Sequence, residues 1–362
     1  MKLEGLKAIA DAVLYEGYLL YPYRQSAIKN RHRWTYGVLY PRAYSEAGDA
    51  VEPWCLQCEC LLEAGFGSGS GAGAEPRLAV HVRFLQLMRC RRQEEQTAME
   101  PERGRSREGL LWADPSLVGC WEEGVERTVS ATGLSLAELL KAAWRQSFAF
   151  PARRLVEEAP GDRRPDAPRW IVREGGELCG EVSIAAEALP EREGLFKLRV
   201  IVANTTPMRA PADLRAEAAL LSACVSTHAI LQLEGGAFVS LIEPPEELRQ
   251  FAASCHNSGT WPVLVGEPGQ RDSLLSAPII LYDYPQIAPE SPAALFDGTE
   301  IDELLALRIM TLTDEEKEQI RQGDARGRAI LEQIERMTPE QLLHLHGTIR
   351  DLRSLSREEG EP

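Results

Sequence analysis

Alternation with a period of two constrains this chain more than any other feature. Leu78, Val80, Val82 and Phe84 alternate with Ala79, His81 and Arg83. Val182, Ile184 and Ala186 alternate with Glu181, Ser183 and Ala185, and Phe196, Leu198, Val200 and Val202 with Lys197, Arg199 and Ile201. Successive side chains of a strand point to opposite faces, so each stretch predicts a strand with one face on a core. Residues 225–233 and 237–242 flank Gly235-Gly236, a pair that tolerates positive φ, and predict a hairpin. The strands recur without regular intervening helices. That pattern favours an antiparallel β-sheet or β-sandwich core over a doubly wound parallel sheet.

Helical signals are fewer and lie mostly towards the ends. Leu3, Leu6, Ile9 and Val13 share one face of a predicted N-terminal helix, before Pro22 forces an extended or turn conformation. Pro244-Pro245-Glu246-Glu247 opens a short helix reaching about Cys255. Near residue 296 the character changes. Thr313-Asp314-Glu315-Glu316 and Thr338-Pro339-Glu340-Gln341 fit the capping box, predicting helices over 314–336 and 339–356. The expected fold class is therefore α+β. A β-rich core domain spans 1–295, with flexible loops at 64–75, 91–108 and 157–168, and a helical C-terminal extension spans 296–362.

Charge and composition narrow the function classes. The chain of 362 residues carries 40 basic against 55 acidic side chains, a net charge of −15, which argues against broad nucleic-acid binding. No run approaches the ~18 apolar residues of a membrane span. Glu4 and Asp11 interrupt the stretch a signal peptide would need. Eight cysteines are too few for a disulfide scaffold and predict reduced thiols in a cytoplasmic setting.

Few residues suggest chemistry. Cys55, Cys58 and Cys60 (WCLQCEC) have the reach of a zinc or iron–sulfur ligand pair, with Cys90 or a histidine completing the set. No second Cys-x-x-Cys follows, and Trp54, Leu56, Cys58 and Cys60 could equally alternate along a strand. Cys255-His256 could supply a nucleophile to a Cys-dependent hydrolase, although neighbours in a chain rarely face each other. His228 reads as a hydrogen-bonded strand histidine. His344 and His346 cannot chelate one ion from one helix. The glycine tract after Ala64 neither ends a convincing strand nor opens a helix, which argues against a phosphate loop. No cofactor is predicted, and a binding protein is favoured over an enzyme.

One segment stands apart. Aromatics are 7% of the chain, yet Tyr15, Tyr18, Tyr21, Tyr23, Trp34, Tyr36 and Tyr40 crowd together with Arg24, Lys29, Arg31 and Arg33. Tyrosine, tryptophan and arginine dominate interface hot spots. Tyr18, Tyr21, Tyr23, Arg24, Arg31, Arg33 and Trp34 are thus candidate partner-binding residues. The alternatives are a buried structural corner or a platform for single-stranded nucleic acid, the latter disfavoured by the acidity.

The stretch YEGYLLYPYR-x-SA-x-KNR-x-RW-x-x-GVLYP over residues 15–41 resembles the opening of an uncharacterised bacterial family encoded in nickel–iron hydrogenase gene clusters. Residues 226–247 (STHAILQLEGGAFVSLIEPPEE), residues 257–317 and the helical tail are similar to the same family. Cys55 and Cys58 lie outside its pattern. The resemblance implies an accessory or assembly protein whose partner is a hydrogenase subunit or maturation protein, and it carries no catalytic residues across.

Overall fold

A computed structural model of the chain describes residues 3–15, 36–47, 52–64, 75–93, 120–158, 170–209, 216–286, 306, 309–322 and 325–338. The chain divides into two compact units, residues 1–18 with 34–286 and residues 19–33 with 287–362.

In chain order the first unit contains α1 (Leu3–Tyr15), α2 (Arg42–Ala47), β1 (Cys55–Ala64), β2 (Arg77–Gln93) and β3 (Cys120–Ser135). It continues with α3 (Leu136–Leu139), β4 (Trp144–Phe150), β5 (Arg153–Glu158), β6 (Trp170–Gly175), β7 (Leu178–Ala188) and β8 (Leu195–Asn204). Then follow α4 (Ala216–Leu220), β9 (Val225–Glu234), β10 (Gly236–Val239), a 3-10 turn (Glu246–Leu248), α5 (Arg249–Ala253), β11 (Trp261–Leu264) and β12 (Ser273–Ala277).

These strands build two sheets, antiparallel throughout. The first has the order β10-β1-β8-β7-β4. The second runs β11-β12-β9-β2, with β3 on the far side of β2. β2 is 17 residues long, and it has two successive partners on one edge. It pairs with β9 as far as Leu85 and with β6 from Arg89, and β6 in turn carries β5.

The alternation read from the sequence decides which face is buried. Leu56, Cys58, Cys60 and Leu62 of β1, Val182 and Ile184 of β7, and Phe196, Leu198, Val200 and Val202 of β8 share one apolar cluster with residues of the second sheet. Those residues are Leu78, Val80, Val82 and Phe84 of β2 and Ala229, Leu231 and Leu233 of β9. Two sheets packed through such inner faces form a β-sandwich. Each fully buried Leu or Phe side chain contributes about 1.5–3 kcal/mol by leaving water. Phe84, Phe148 and Phe150 stack at the end of this layer, with ring centroids 5.6 to 6.0 Å apart.

Both outer faces are partly covered. Ala10 and Val13 of α1 pack on Ile230, Val263, Val265, Leu275 and Ala277 of the second sheet. Leu248 and Ala252, from the 3-10 turn and α5, pack on Leu61, Leu195 and Val239 of the first.

The expected hairpin at Gly235-Gly236 is not one. β9 belongs to the second sheet and β10 pairs with β1 in the first, so the turn carries the chain between sheets. Gly235 holds φ +74, and a Cβ on Gly236 would stand 2.8 Å from the Glu63 carbonyl. Glycine here permits the crossing rather than a two-strand ribbon.

Two expected loops are shorter than the polar sequence suggested. Arg91, Arg92 and Gln93 still belong to β2, and Glu157 and Glu158 to β5. Cross-strand ion pairs take up charge in this region: Arg173 meets Glu123 at 2.7 Å and Glu157 at 2.6 Å, and Arg154 meets Glu174 at 3.0 Å. Residues 65–74, 94–119 and 159–169 lie outside the described residues.

In the second unit, α6 (Asp314–Gln322) and α7 (Ala325–Glu335) replace the single helix expected over 314–336. A single straight helix would hold Arg321 and Glu335, 14 residues apart, about 21 Å from each other, so their direct contact requires two helices; residues 323 and 324 lie outside the described residues. The Thr313 capping box forms: the Thr313 N–H donates to Glu316 at 2.8 Å, and Thr313 Oγ1 accepts from the Glu316 N–H at 3.3 Å. Arg321 bonds both carboxylate oxygens of Glu335, at 2.9 and 3.0 Å. The second expected helix, over 339–356, lies outside the described residues. No helix among the described residues is long and apolar enough to cross a membrane.

Candidate functional site

The candidate partner-binding residues Tyr18, Tyr21, Tyr23, Arg24, Arg31, Arg33 and Trp34 all fall outside the described residues, as do His344 and His346. Tyr15 and Tyr36, which flank the first group, are described.

The three cysteines of WCLQCEC do not converge. Cys58 and Cys60 point into the sandwich core, while strand alternation puts Cys55 on the opposite face of β1. Cys90 sits in a separate cluster with Met88 and Ile171. The hydrogen bond with Cys58, together with burial, pushes the Cys60 thiol well above its ordinary value. Among the described residues no group of three His, Cys, Asp or Glu side chains could hold a metal ion.

Cys255 and His256 serve the fold. The Cys255 Sγ donates to the Phe251 carbonyl at 3.8 Å, and burial pushes its thiol up to about 11. At neutral pH it is a protonated thiol rather than a thiolate nucleophile. The backbone N–H of His256 donates to Glu59 Oε2 at 2.8 Å. Glu59, 1% exposed, also accepts from Arg199 Nε at 2.6 Å. Burial raises its pKa, but the bonds from His256 and Arg199 outweigh it and leave the carboxyl below its usual range.

A second polar cluster lies on the outer face of the second sheet, beneath α1. Arg83 of β2, 7% exposed, donates through Nη2 to Asp11 of α1 at 2.5 Å and lies 3.5 Å from Glu126 of β3. Tyr15, the last residue of α1, donates its hydroxyl to the same Glu126. His228, opposite Arg83 in the β2–β9 register, is fully buried with Nδ1 2.8 Å from the Ser226 carbonyl. Burial lowers the His228 pKa to about 4. Ser226 holds φ +55, a left-handed conformation costly for a non-glycine residue. It is held there as Ser226 and Thr227 donate their N–H groups to the carbonyls of Tyr36 and Gly37. Tyr15 and the backbone of Tyr36 are thus both tied to one polar cluster.

Among the described residues, a row of exposed apolar side chains lies beside β11. Beyond β12 the chain turns back along β11: Ile279 and Leu281 pack against the core beneath α1, and Ile280 and Tyr282, alternating with them, are exposed. Asp283 ends the row by accepting from the Leu264 N–H at 2.7 Å and from Ser240 Oγ at 2.5 Å. The Tyr284 N–H donates to the Leu264 carbonyl. Trp261, opposite the end of β12, is exposed on the same edge. A shallow depression of about 420 Å³ where β1 meets β10 is lined by Glu63, Arg192 and Glu193 among backbone groups.

No protein-family model matches the chain, and no curated protein does.

Sequence reasoning missed Arg83, Asp11 and Glu126 as a group. Arg83 occupied a polar slot in a strand alternation, which reads as solvent-facing until a helix is known to cover that face. Ile280 and Tyr282 were hidden inside an apolar run, residues 274–282, where no pattern distinguished the last exposed positions from the buried ones.

Proposed function

We propose that the protein is a non-catalytic, cytoplasmic accessory or assembly factor that acts through protein–protein contacts. Its partner is a nickel–iron hydrogenase subunit or maturation protein. The observation that carries the reading is the row on the β11 edge, where Ile280 is 77% exposed, Tyr282 84% and Trp261 44%. Large apolar and aromatic side chains held in water mark contact sites, and tyrosine and tryptophan supply contact area at low entropic cost. The row is backed by core packing through Ile279 and Leu281 and anchored by Asp283. A surface so anchored loses little conformational freedom on binding. The choice of partner rests on the family resemblance, and Trp261, Ile280 and Tyr282 all fall within the matching stretch 257–317.

The test is affinity capture of the tagged full chain from its native host under hydrogenase-inducing conditions, with mass spectrometry of the eluate. Hydrogenase subunits should co-purify with the wild type. Capture should fall at least tenfold for the Ile280→Ser, Tyr282→Ser double variant, with an unchanged melting transition. Recovery of the wild-type chain alone, or equal capture by both proteins, would sink the proposal.

A further inference from the structure

Three buried polar atoms of the cluster beneath α1 have no hydrogen-bond partner among the described residues: Arg83 Nη1, Ser226 Oγ and His228 Nε2. The three residues are neighbours, with Ser226 two positions before His228 at the start of β9. Arg83 and His228 are cross-strand partners whose side chains share one face of the sheet, and the His228 ring lies against the Ser226 carbonyl. Ser226 and His228 are both fully buried.

The chemistry of the three atoms specifies what fits between them. A carbonyl oxygen can only accept, so His228 Nδ1 carries the ring proton and Nε2 presents a lone pair. Arg83 Nη1 can only donate, and the Ser226 hydroxyl can do either. An anion would face the Nε2 lone pair and an arginine already paired with Asp11 and Glu126. A cation would face the guanidinium. A guest that accepts from Arg83 and donates to His228 must be neutral and carry both functions. Leaving three buried polar atoms unbonded costs more than immobilising one water molecule, which typically makes about three such bonds.

We propose that Arg83, Ser226 and His228 form an internal binding site for one water molecule, which ties β2 to the strained start of β9. The site has a structural consequence for the tyrosine-rich stretch. Through Arg83 and Glu126 it braces Tyr15, and through Ser226 it braces the backbone at Tyr36. Tyr15 and the Tyr36 backbone are thus held by one hydrogen-bonded centre.

Nitrogen-15 NMR of the histidine-labelled full chain at pH 7, with water–protein cross-relaxation, tests the site. The expected result is a His228 ring protonated on Nδ1 only, with a cross-peak from its carbon-bound Hε1 and Hδ2 protons, which flank Nε2, to a long-lived water. That cross-peak should vanish in His228→Phe. A ring protonated on Nε2 overturns the proposal, as does the absence of any long-lived water signal in the wild type. These wild-type readings decide the matter even if the variant fails to fold. A bound organic molecule detected by native mass spectrometry, with a cross-peak to its protons instead of water, would also overturn it.

Discussion

The side-chain amide of Asn257 bonds both backbone groups of Glu59: the Glu59 N–H donates to Oδ1 at 2.8 Å, and Nδ2 donates to the Glu59 carbonyl at 3.2 Å. Beside it, Gln57 and Ser258 exchange backbone bonds at 3.1 and 2.9 Å. Since β10 reaches β1 only from Leu61 onward, this short segment stands in for a neighbouring strand along the first half of β1. An edge covered in this way is closed to pairing with other chains. Asn257→Ala should therefore cost about 1–3 kcal/mol, the usual penalty for leaving buried backbone groups unbonded. Urea denaturation measures the loss. A midpoint unchanged from wild type would show that the amide is dispensable.

Acid should destabilise the protein through His228. Its folded pKa, about 4, lies below the ordinary 6.5 because burial disfavours the charged ring. Between these values the unfolded chain binds a proton that the native state does not, so stability rises with pH. The contribution is complete above 6.5 and is lost as pH falls towards 4, by up to about 3 kcal/mol. His81, also lowered by burial, acts in the same direction, and Glu59 adds its own loss below its usual 4.5. The slope of urea stability between pH 6.5 and 4 should flatten in His228→Gln. Parallel curves for variant and wild type would exclude the assignment.

Two glycines separate crowding from backbone strain. Gly37 holds φ +54, and a Cβ there would stand 2.6 Å from Pro278 Cβ and 3.0 Å from the Thr227 carbonyl. Gly133 holds φ +68 with nothing within 4 Å. Gly133→Ala should cost about 1–2 kcal/mol for the left-handed conformation alone. Gly37→Ala should add about 1–3 kcal/mol of overpacking to that. Thermal melts of the two variants give the comparison, and equal losses would mean that the segment at Gly37 can move aside.

The sandwich was legible because its strands β2, β7 and β8 alternate cleanly, and one buried face leaves a period in the sequence. β3 was not. Glu122, Glu123, Glu126 and Arg127 give it a polar reading, and what makes it a strand is its full-length pairing with β2, a property of two segments rather than one. The turn at Gly235 was read correctly as a turn but assigned the wrong partner, since local chemistry sets the bend and not the sheet on the far side. The site was less legible still. A buried Arg83 and an exposed Tyr282 differ from ordinary strand residues only by what covers them.

Arg199 meets Glu59 across 140 residues of chain, and Gln57 meets His256 across 199. During synthesis β1 therefore emerges long before β8 and β10, the strands that flank it. At the usual 5–20 residues per second the wait is on the order of ten seconds or more, with Leu56, Cys58, Cys60 and Leu62 uncovered. Contacts this distant make closure of β1 between β8 and β10 a slow step. A nascent chain of this design is itself a client for factors that shelter unfinished sheets, and a ribosome stalled before residue 199 would carry an open, sticky half-sandwich.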